Sequence, residues 1–328
     1  MARQALSAAC LRLVLALESD LAPALERTRL KRLRVGLSGG ADSLALLAGL
    51  EWATCHRQGP LRGVPVEARV VDHGLQEGSG AVAQRAREQA EGLGVPAEVV
   101  LAQVDSGSEG VEAAARSARY QTLFSGPEAL VVVGHTLDDQ AETVLLGLAR
   151  GSGVRSLAGM APLSARTWGD EAGWLARPLL SLRRADTEQA CRDWGLTWWD
   201  DPMNADSSYT RSAVRAAMPM LEDVLGPGLS EGLARTAILA RQDADYLDEL
   251  VEDAGVSPES DSLSVADLIS LPPALRTRVI LKWLRTRSDQ VTYDHVMAVD
   301  SLLTDWHGQK GISVPGGLVR RANGSLLL

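Results

Sequence analysis

Fourteen residues near the start of the chain, 34–47, read RVGLSGGADSLALL and restrict the fold more than any other stretch. Their left half is a short apolar run with β-branched Val35, which suits a strand. Their right half, from Ser43, sets Leu44, Leu47 and Ala48 at the spacing of a buried helix face. Between them lies Ser38-Gly39-Gly40-Ala41-Asp42-Ser43. A strand that turns through two glycines into a helix gathers backbone N–H groups, the positive end of the helix dipole and two serine hydroxyls into a cradle for an anion. Glycine is needed because the turn takes backbone angles closed to other residues and a phosphate must come close. The Gly-Lys-Ser/Thr ending of the Walker loop is missing. An ordinary strand–turn–helix with Asp42 as a cap has the same local pattern.

The pattern repeats downstream. Helices are expected over 44–55, 82–93, 111–124 and 138–149, and strands over 64–71, 97–101 and 129–133. Strands alternating with helices imply an α/β fold, a Rossmann-like doubly wound parallel sheet filling roughly the first half of the chain. The strand at 64–71 runs into Asp72-His73-Gly74-Leu75, the sheet end where such folds bind ligands. Residues 151–177 read as a loop with short strands, a possible lid. Helices follow at 182–195 and 211–221, with a polar loop over 197–209 between them. Gly226, Pro227 and Gly228 mark an expected linker over 221–232. Beyond it come helices at 229–254, 264–269, 273–286 and 293–305, then two extended runs resembling a β-hairpin at 311–328. The expected domains are 1–221 and a smaller, mainly helical 222–328.

A second constellation is VVVGHTLDDQAE at 131–142. His135, Asp139 and Glu142 fall on one face as the helix begins, and Asp138 and Asp139 suit a helix N-terminus. Helix capping accounts for the acids by themselves. At the mouth of the same sheet as the phosphate loop, an acidic face also suits a metal or an amine.

Composition narrows the classes. The net charge of −9 argues against a general nucleic-acid binder, leaving local basic clusters at Arg27, Arg29, Lys31, Arg32 and Arg34 and at Arg276, Arg278, Lys282, Arg285 and Arg287. No apolar run reaches the ~18 residues of a membrane span. Leu6, Ala9, Leu13, Leu17 and Leu21 read as a core-packing helix rather than a secretion signal. Cys10, Cys55 and Cys191 are too dispersed for a disulfide framework, a CxxC pair or a zinc site, so a cytoplasmic enzyme is expected.

With these strings together, the chain resembles the tRNA(Ile)-lysidine synthetase family of PP-loop ATP pyrophosphatases. The resemblance rests on SGGADS (38–43), VDHGL (71–75), EAAARSARY (112–120), GHTLDDQAET (134–143), RGSG (150–153), RPLL (177–180), GLTWWDDPMNAD (195–206) and the 211–221 helix, and covers most of the chain. It implies lysine ligation to carbon 2 of the first anticodon base, a cytidine, in the CAU-anticodon tRNA(Ile), with ATP spent to AMP and pyrophosphate through an adenylated base. It implies nucleotide contacts from Ser38, Gly39, Gly40, Ala41, Asp42 and Ser43, joined by Asp72, His73 and His135, with Mg²⁺ at Asp42. It further implies substrate contacts from Arg116, Asp138, Asp139, Glu142 and Arg211, and catalytic roles for Asp42, Asp139, Glu142, Arg119 and Arg215. Asp139 and Glu142 would hold the lysine amines, and one of them would take the ammonium proton. The C-terminal domain would read the tRNA, and a homodimer is known in the family. One departure is Arg211-Ser212-Ala213-Val214-Arg215, which stands where the family has an Arg-Asn-x-Ile-Arg-like stretch. A tRNA thiolase would need paired cysteines, an ammonia-using synthetase would need a glutaminase, and an ATP-sensing binding protein would not need the acids.

Overall fold

The computed structural model describes residues 6–74, 78–102, 111–151, 153–201 and 210–328. The chain divides into two compact units, one of residues 1–149 with 159–237, the other of 150–158 with 238–328.

In the first unit, helix α1 (Ala8–Thr28) leads into β1 (Leu33–Leu37), whose five residues are all buried. The chain continues as α2 (Ala41–Cys55), β2 (Val66–Asp72), α3 (Ser79–Gly92), β3 (Ala97–Leu101), α4 (Val111–Phe124), β4 (Leu130–Val132) and α5 (Leu137–Ala149). It then forms the pair β5 (Leu163–Trp168) and β6 (Glu171–Ala176), followed by α7 (Arg184–Asp193) and α8 (Thr210–Leu225). The sheet order is β3-β2-β1-β4-β6-β5. Val35 pairs in parallel with Ala68 on one side and Val132 on the other. Only β5 runs antiparallel, Leu163 facing Ala176. The strand order reverses between β1 and β4, and open α/β sheets bind ligands at the carboxyl ends of strands at such a reversal. The SGGADS loop follows β1 and the GHTLDD stretch follows β4, so two distant motifs leave neighbouring strands.

Leu13 and Leu17 of α1 pack with Leu44, Leu47 and Leu50 of α2, all fully buried. Gly49 allows that approach, because a Cβ there lies 2.2 Å from Leu13 Cδ2. Another cluster sets Tyr120, Leu123 and Phe124 of α4 against Val131, Val133 and Leu175. Arg34, expected in a basic patch, is instead 1% exposed. Its guanidinium donates to Leu123 O, Ser125 O and Pro127 O at 2.7–3.0 Å and pairs with Glu67 at 2.7 Å. It thereby satisfies carbonyls at the end of α4 that the helix leaves open.

Residues 163–176 form no lid: β5 and β6 extend the main sheet, with Val131 paired to Leu175. The polar turn at Gly169-Asp170 made an ordinary hairpin look irregular. The expected linker shrinks to residues 226–228, because α8 runs to Leu225 and α9 (Leu229–Asp253) follows at once.

The second unit contains α6 (Val154–Leu157), α9 from Ile238 onward, β7 (Ser262–Ser264), α10 (Val265–Ser270), α11 (Pro273–Arg285), α12 (Tyr293–Thr304), β8 (Ile312–Val314), β9 (Gly317–Ala322) and β10 (Ser325–Leu327). The C-terminal hairpin is present, turning at Asn323 and Gly324, both with positive φ. It belongs to a four-stranded antiparallel sheet of order β7-β10-β9-β8. Trp283 sits at this core, 1% exposed, its indole N–H donating to Ser260 O at 2.9 Å. The basic cluster of α11 is largely neutralised. Arg276 pairs with buried Asp300 at 2.6 Å, Arg278 with Asp248, Lys282 with Glu252 and Arg287 with Asp261. Among the described residues, no helix is long and apolar enough to cross a membrane.

Candidate active site

Gly39 takes φ 82°, and Gly40 caps α2 in an extended conformation. Ser43 Oγ ties the loop together, accepting from Ser38 N at 3.2 Å, donating to Gly40 O at 2.9 Å and meeting Ser38 Oγ at 3.1 Å. The first turn of α2, beginning at Ala41, leaves its N–H groups without helical partners, as an anion site requires. Behind the loop, Cys191 donates to Ala41 O at 3.3 Å. Burial, reinforced by Asp42, pushes that thiol up to about 12, which makes it support rather than a nucleophile.

A cavity of about 370 Å³ opens beside the loop. Ser38 and Gly40, Asp72 and His73 at the end of β2, Arg119 of α4 and Trp199 line it. Burial and the Arg119 guanidinium push the His73 imidazole down, so it is neutral near pH 7. Its Nδ1 is buried without a hydrogen-bond partner among the described residues. The cavity therefore combines apolar walls, the two arginines Arg69 and Arg119, and a neutral acceptor or donor, a composition suited to a nucleotide base and its phosphates. Arg116 and Arg119 both lie over the Tyr120 ring, at 5.3 and 5.9 Å, but Arg116 does not line the cavity.

The acidic face of α5 lies on the other side of the loop. Gly134 joins the two motifs: a Cβ on it meets Asp42 O at 2.8 Å and Ser43 N at 3.1 Å. Gly134→Ala therefore forces the loop backbone aside. The expected cost is about 1–3 kcal/mol, with loss of nucleotide affinity. Thermal melts with and without ATP check this, and a variant with a wild-type melting temperature and wild-type ATP shift would exclude the contact as a constraint.

Asp139 and Glu142 are buried, with side chains 10% and 2% exposed. Arginines cover this acidic face. Arg211 Nε lies 2.9 Å from Glu142 Oε2, and Arg215 Nε 2.7 Å from Glu142 Oε1. Arg211, Arg215 and Arg184 each bring an Nη2 to within 3.2–3.4 Å of Asp139 Oδ1. Asp139 Oδ2 accepts from Thr136 N at 2.8 Å, which also caps the helix start. Burial works to raise the Asp139 carboxyl, but the Arg184 and Arg211 guanidiniums and the Thr136 backbone N–H outweigh it and hold the group below the usual carboxylate range. Burial drives the His135 imidazole down; Asp139 opposes this, and Arg177 and Arg211 reinforce it. His135 Nδ1, like that of His73, is buried without a partner.

The helix expected over 182–195 is present as α7, but sequence reasoning did not single out Arg183, Arg184 or Thr187 at its start. Arg184 N donates to Asp138 Oδ2 at 2.7 Å, and Arg183 pairs with Asp138 Oδ1 at 3.1 Å. Arg184 Nε lies 3.5 Å from Asp42 Oδ2, and Thr187 Oγ1 donates to Asp42 Oδ1. The only signal for these residues was Arg183-Arg184 a few residues after RPLL, at the start of the expected helix. Trp199 lines the cavity and donates its backbone N–H to Gly39 O at 3.0 Å. The segment 202–206 and Leu75 of the sequence motifs lie outside the described residues.

Burial pushes the Asp42 carboxyl up to about 6; Thr187 and Arg184 oppose this, and Asp139 adds to it. A carboxylate so strained accommodates a cation. Among the described residues, no group of three or more His, Cys, Asp or Glu side chains could hold a metal. One carboxylate is nonetheless enough for Mg²⁺, which takes most of its remaining ligands from substrate phosphates and water. The residues fit an ion that arrives with a nucleotide.

Comparisons with known proteins agree with this arrangement. Residues 14–221 match the PP-loop domain family, and residues 263–327 the TilS substrate binding domain. A tRNA(Ile)-lysidine synthase of Nocardia farcinica is 48% identical over 290 residues, covering 86% of this chain and 85% of that protein. The synthase of Mycobacterium bovis is 46% identical, covering 86% and 84%, and that of Leifsonia xyli subsp. xyli is 46% identical, covering 89% and 88%. Among solved structures, the U34-tRNA thiolase NcsA from Methanococcus maripaludis with its [4Fe-4S] cluster covers 70% of this chain and 80% of its own. Its TM-score of 0.51 at 19% identity is a likeness of fold. By the relatives and by both matched domains, the chain belongs to the tRNA(Ile)-lysidine synthase family.

Proposed function

We propose that the protein ligates L-lysine onto carbon 2 of the first anticodon base, a cytidine, of CAU-anticodon tRNA(Ile). ATP becomes AMP and pyrophosphate, and codon reading changes from AUG to AUA. The observation that carries this reading is the meeting of two motifs in a member of this family: the loop ending in Asp42 and the acids of α5 lie on adjacent strand ends, bridged by one arginine.

The chemistry follows from the order of charges. Cytosine is a poor electrophile at carbon 2, so its O2 first attacks the α-phosphorus of ATP and the pyrophosphate departs. The loop from Ser38 to Ser43, with the N-terminus of α2, holds that pyrophosphate by backbone N–H groups and hydroxyls. Mg²⁺ at Asp42, when bound with ATP, supplies charge neutralisation there. The base side of the nucleotide takes the cavity between Asp72, His73 and Arg119, and His73, being neutral, presents a hydrogen-bonding group rather than a charge. His135 is likewise a neutral group beside the nucleotide. The lysine amines go to Asp139 and Glu142, with Asp138 beside them, and Arg116, Arg211 and Arg215 serve phosphates and the AMP leaving group. The lysine nitrogen must be unprotonated to attack carbon 2, and a carboxylate of this pair is the assigned acceptor of its proton. AMP then leaves with the former O2. Catalysis is assigned to residues 1–221 and tRNA recognition to 222–328, in a cytoplasmic enzyme.

The test is nucleoside mass spectrometry of CAU-anticodon tRNA(Ile) incubated with protein, Mg-ATP and lysine. A lysine-sized gain on the first anticodon base, absent in Asp42→Ala, is the expected result. Pyrophosphate release without that gain would keep adenylation and move the search to another nucleophile. Neither product, with tRNA binding intact, would sink the assignment.

A further inference from the structure

Arg184 is, among the described residues, the one cation paired with both motifs. Nε lies 3.5 Å from Asp42 Oδ2, and Nη2 lies 3.2 Å from Asp139 Oδ1 and 3.9 Å from Glu142 Oε1. Its place is set by backbone rather than by the long side chain alone. Leu137 N donates to Leu182 O at 2.8 Å, and Arg184 N to Asp138 Oδ2 at 2.7 Å. The start of α7 is therefore clamped to the start of α5, and Thr187, one turn on, holds the far oxygen of Asp42. The guanidinium is 26% exposed, open enough for a ligand to reach it.

The reaction fixes what must lie between these groups. Pyrophosphate belongs at the loop that Asp42 closes, and the attacking amine belongs at Asp139 and Glu142. The α-phosphorus is bonded to the first and, after adenylation, linked through O2 to the carbon that the second attacks. It has to sit in the interval that Arg184 spans. We propose that Arg184 is a catalytic residue that turns from the two aspartates to the α-phosphate of ATP. There it stabilises negative charge on the non-bridging oxygens while the O2–Pα bond forms and the Pα–O–Pβ bond breaks, the electron pair leaving on pyrophosphate. It keeps the same contact when the amine bonds to carbon 2 and AMP departs with the C–O electron pair. The planar guanidinium suits this task, since it can hold two phosphate oxygens at once, which a lysine ammonium cannot. The proposal rests on the lysidine reading.

The test measures AMP transfer to the tRNA without lysine, comparing ATP with the two diastereomers of ATPαS in wild type, Arg184→Lys and Arg184→Gln. Sulfur replaces one non-bridging α-oxygen, so a residue that contacts that oxygen sets the preference between diastereomers. Arg184→Gln is expected to lose about 100-fold or more in AMP transfer and to lose the diastereomer preference. Arg184→Lys is expected to retain the fold and part of the rate, again with the preference weakened. Melting temperatures near that of wild type identify folded variants. A folded variant that slows all three nucleotides equally, with the wild-type preference unchanged, overturns the proposal and leaves Arg184 as a spacer between Asp42 and Asp139. A wild-type enzyme that transfers no AMP to this RNA overturns the lysidine reading itself, and this inference with it.

Discussion

Asp42→Asn is expected to abolish AMP transfer to RNA while raising the melting temperature at pH 8 by about 2–6 °C. The two effects have one cause. The carboxyl is raised from an ordinary 3.8 to about 6, chiefly by burial, with Arg184 and Thr187 only partly compensating. A carboxyl raised on folding binds its proton more tightly in the native state. Its native form is therefore penalised once it ionises, and stability from this group is lost as pH rises from about 4 through about 6. The shift corresponds to about 3 kcal/mol at ~1.4 kcal/mol per unit. The side chain is 24% exposed, so solvent screening reduces this to about 1–2 kcal/mol. Asparagine keeps an acceptor for Thr187 and carries no charge, so the penalty disappears at pH 8. Below about pH 4 the wild-type group is itself neutral and the two proteins should melt alike. Melts of both proteins across pH 4–8 check this, and a variant less stable than wild type at pH 8 would sink the account of Asp42 as a strained carboxylate. Repeating the melts with Mg²⁺ and ATP tests the metal role separately: only the wild type should gain from Mg²⁺ beyond ATP alone.

The loop could be read from sequence because everything that defines it is local. Val35, Gly39, Gly40 and Leu44 lie within ten residues, and strand, turn and helix each leave a mark at that range. The acids of α5 were equally legible as residues. Their environment was not, because their partners come from 45, 72 and 76 residues away, at Arg184, Arg211 and Arg215. Arg211 and Arg215 were singled out only through family resemblance, and for phosphate rather than for carboxylates. Arg184 lay in an expected helix, but nothing local aimed it at Asp42 and Asp139, since its position depends on α7 being clamped to α5 by hydrogen bonds. Within 151–177 short strands were expected, but not their place in the main sheet. β5 is antiparallel and at the sheet edge, and its exposed face gives Arg166 and Thr167 no apolar alternation to mark them as part of that sheet. Likewise β7 is only three residues long, too short for any periodicity, so the C-terminal sheet looked like a bare hairpin. Arg34 shows the converse error. In sequence it is one of five basic residues, and only the fold reveals that it caps α4.

Glu142→Gln is the second large effect, and it separates two roles that one carboxylate holds together. Glu142 is 2% exposed and both its oxygens accept from guanidinium nitrogens, at 2.7 Å from Arg215 and 2.9 Å from Arg211. Glutamine retains one acceptor oxygen and turns an NH₂ towards a guanidinium, leaving two cations short of a counter-charge. Breaking a buried pair from one side costs about 3–5 kcal/mol. Arg211 and Arg215 are 33% and 30% exposed and can rehydrate, so the lower figure of about 2–3 kcal/mol applies here. A cycle with Arg215→Gln should return a coupling of about 1–3 kcal/mol. If Glu142 also receives the lysine amine, KM for lysine rises about 10-fold or more, while AMP transfer in the absence of lysine stays within a few-fold of wild type. The two readouts are independent because the first belongs to the resting protein and the second to the complex. A fall in melting temperature with an unchanged lysine KM makes Glu142 a structural anchor for α8 and moves the amine to Asp138 or Asp139. A raised KM requires Arg211 or Arg215 to release a carboxylate oxygen when lysine binds, because both oxygens of Glu142 are taken in the resting protein. Arg211→Gln, which leaves Oε2 with only the longer 3.2 Å bond from Arg215 Nη2, should in that case lower the KM for lysine and the stability together.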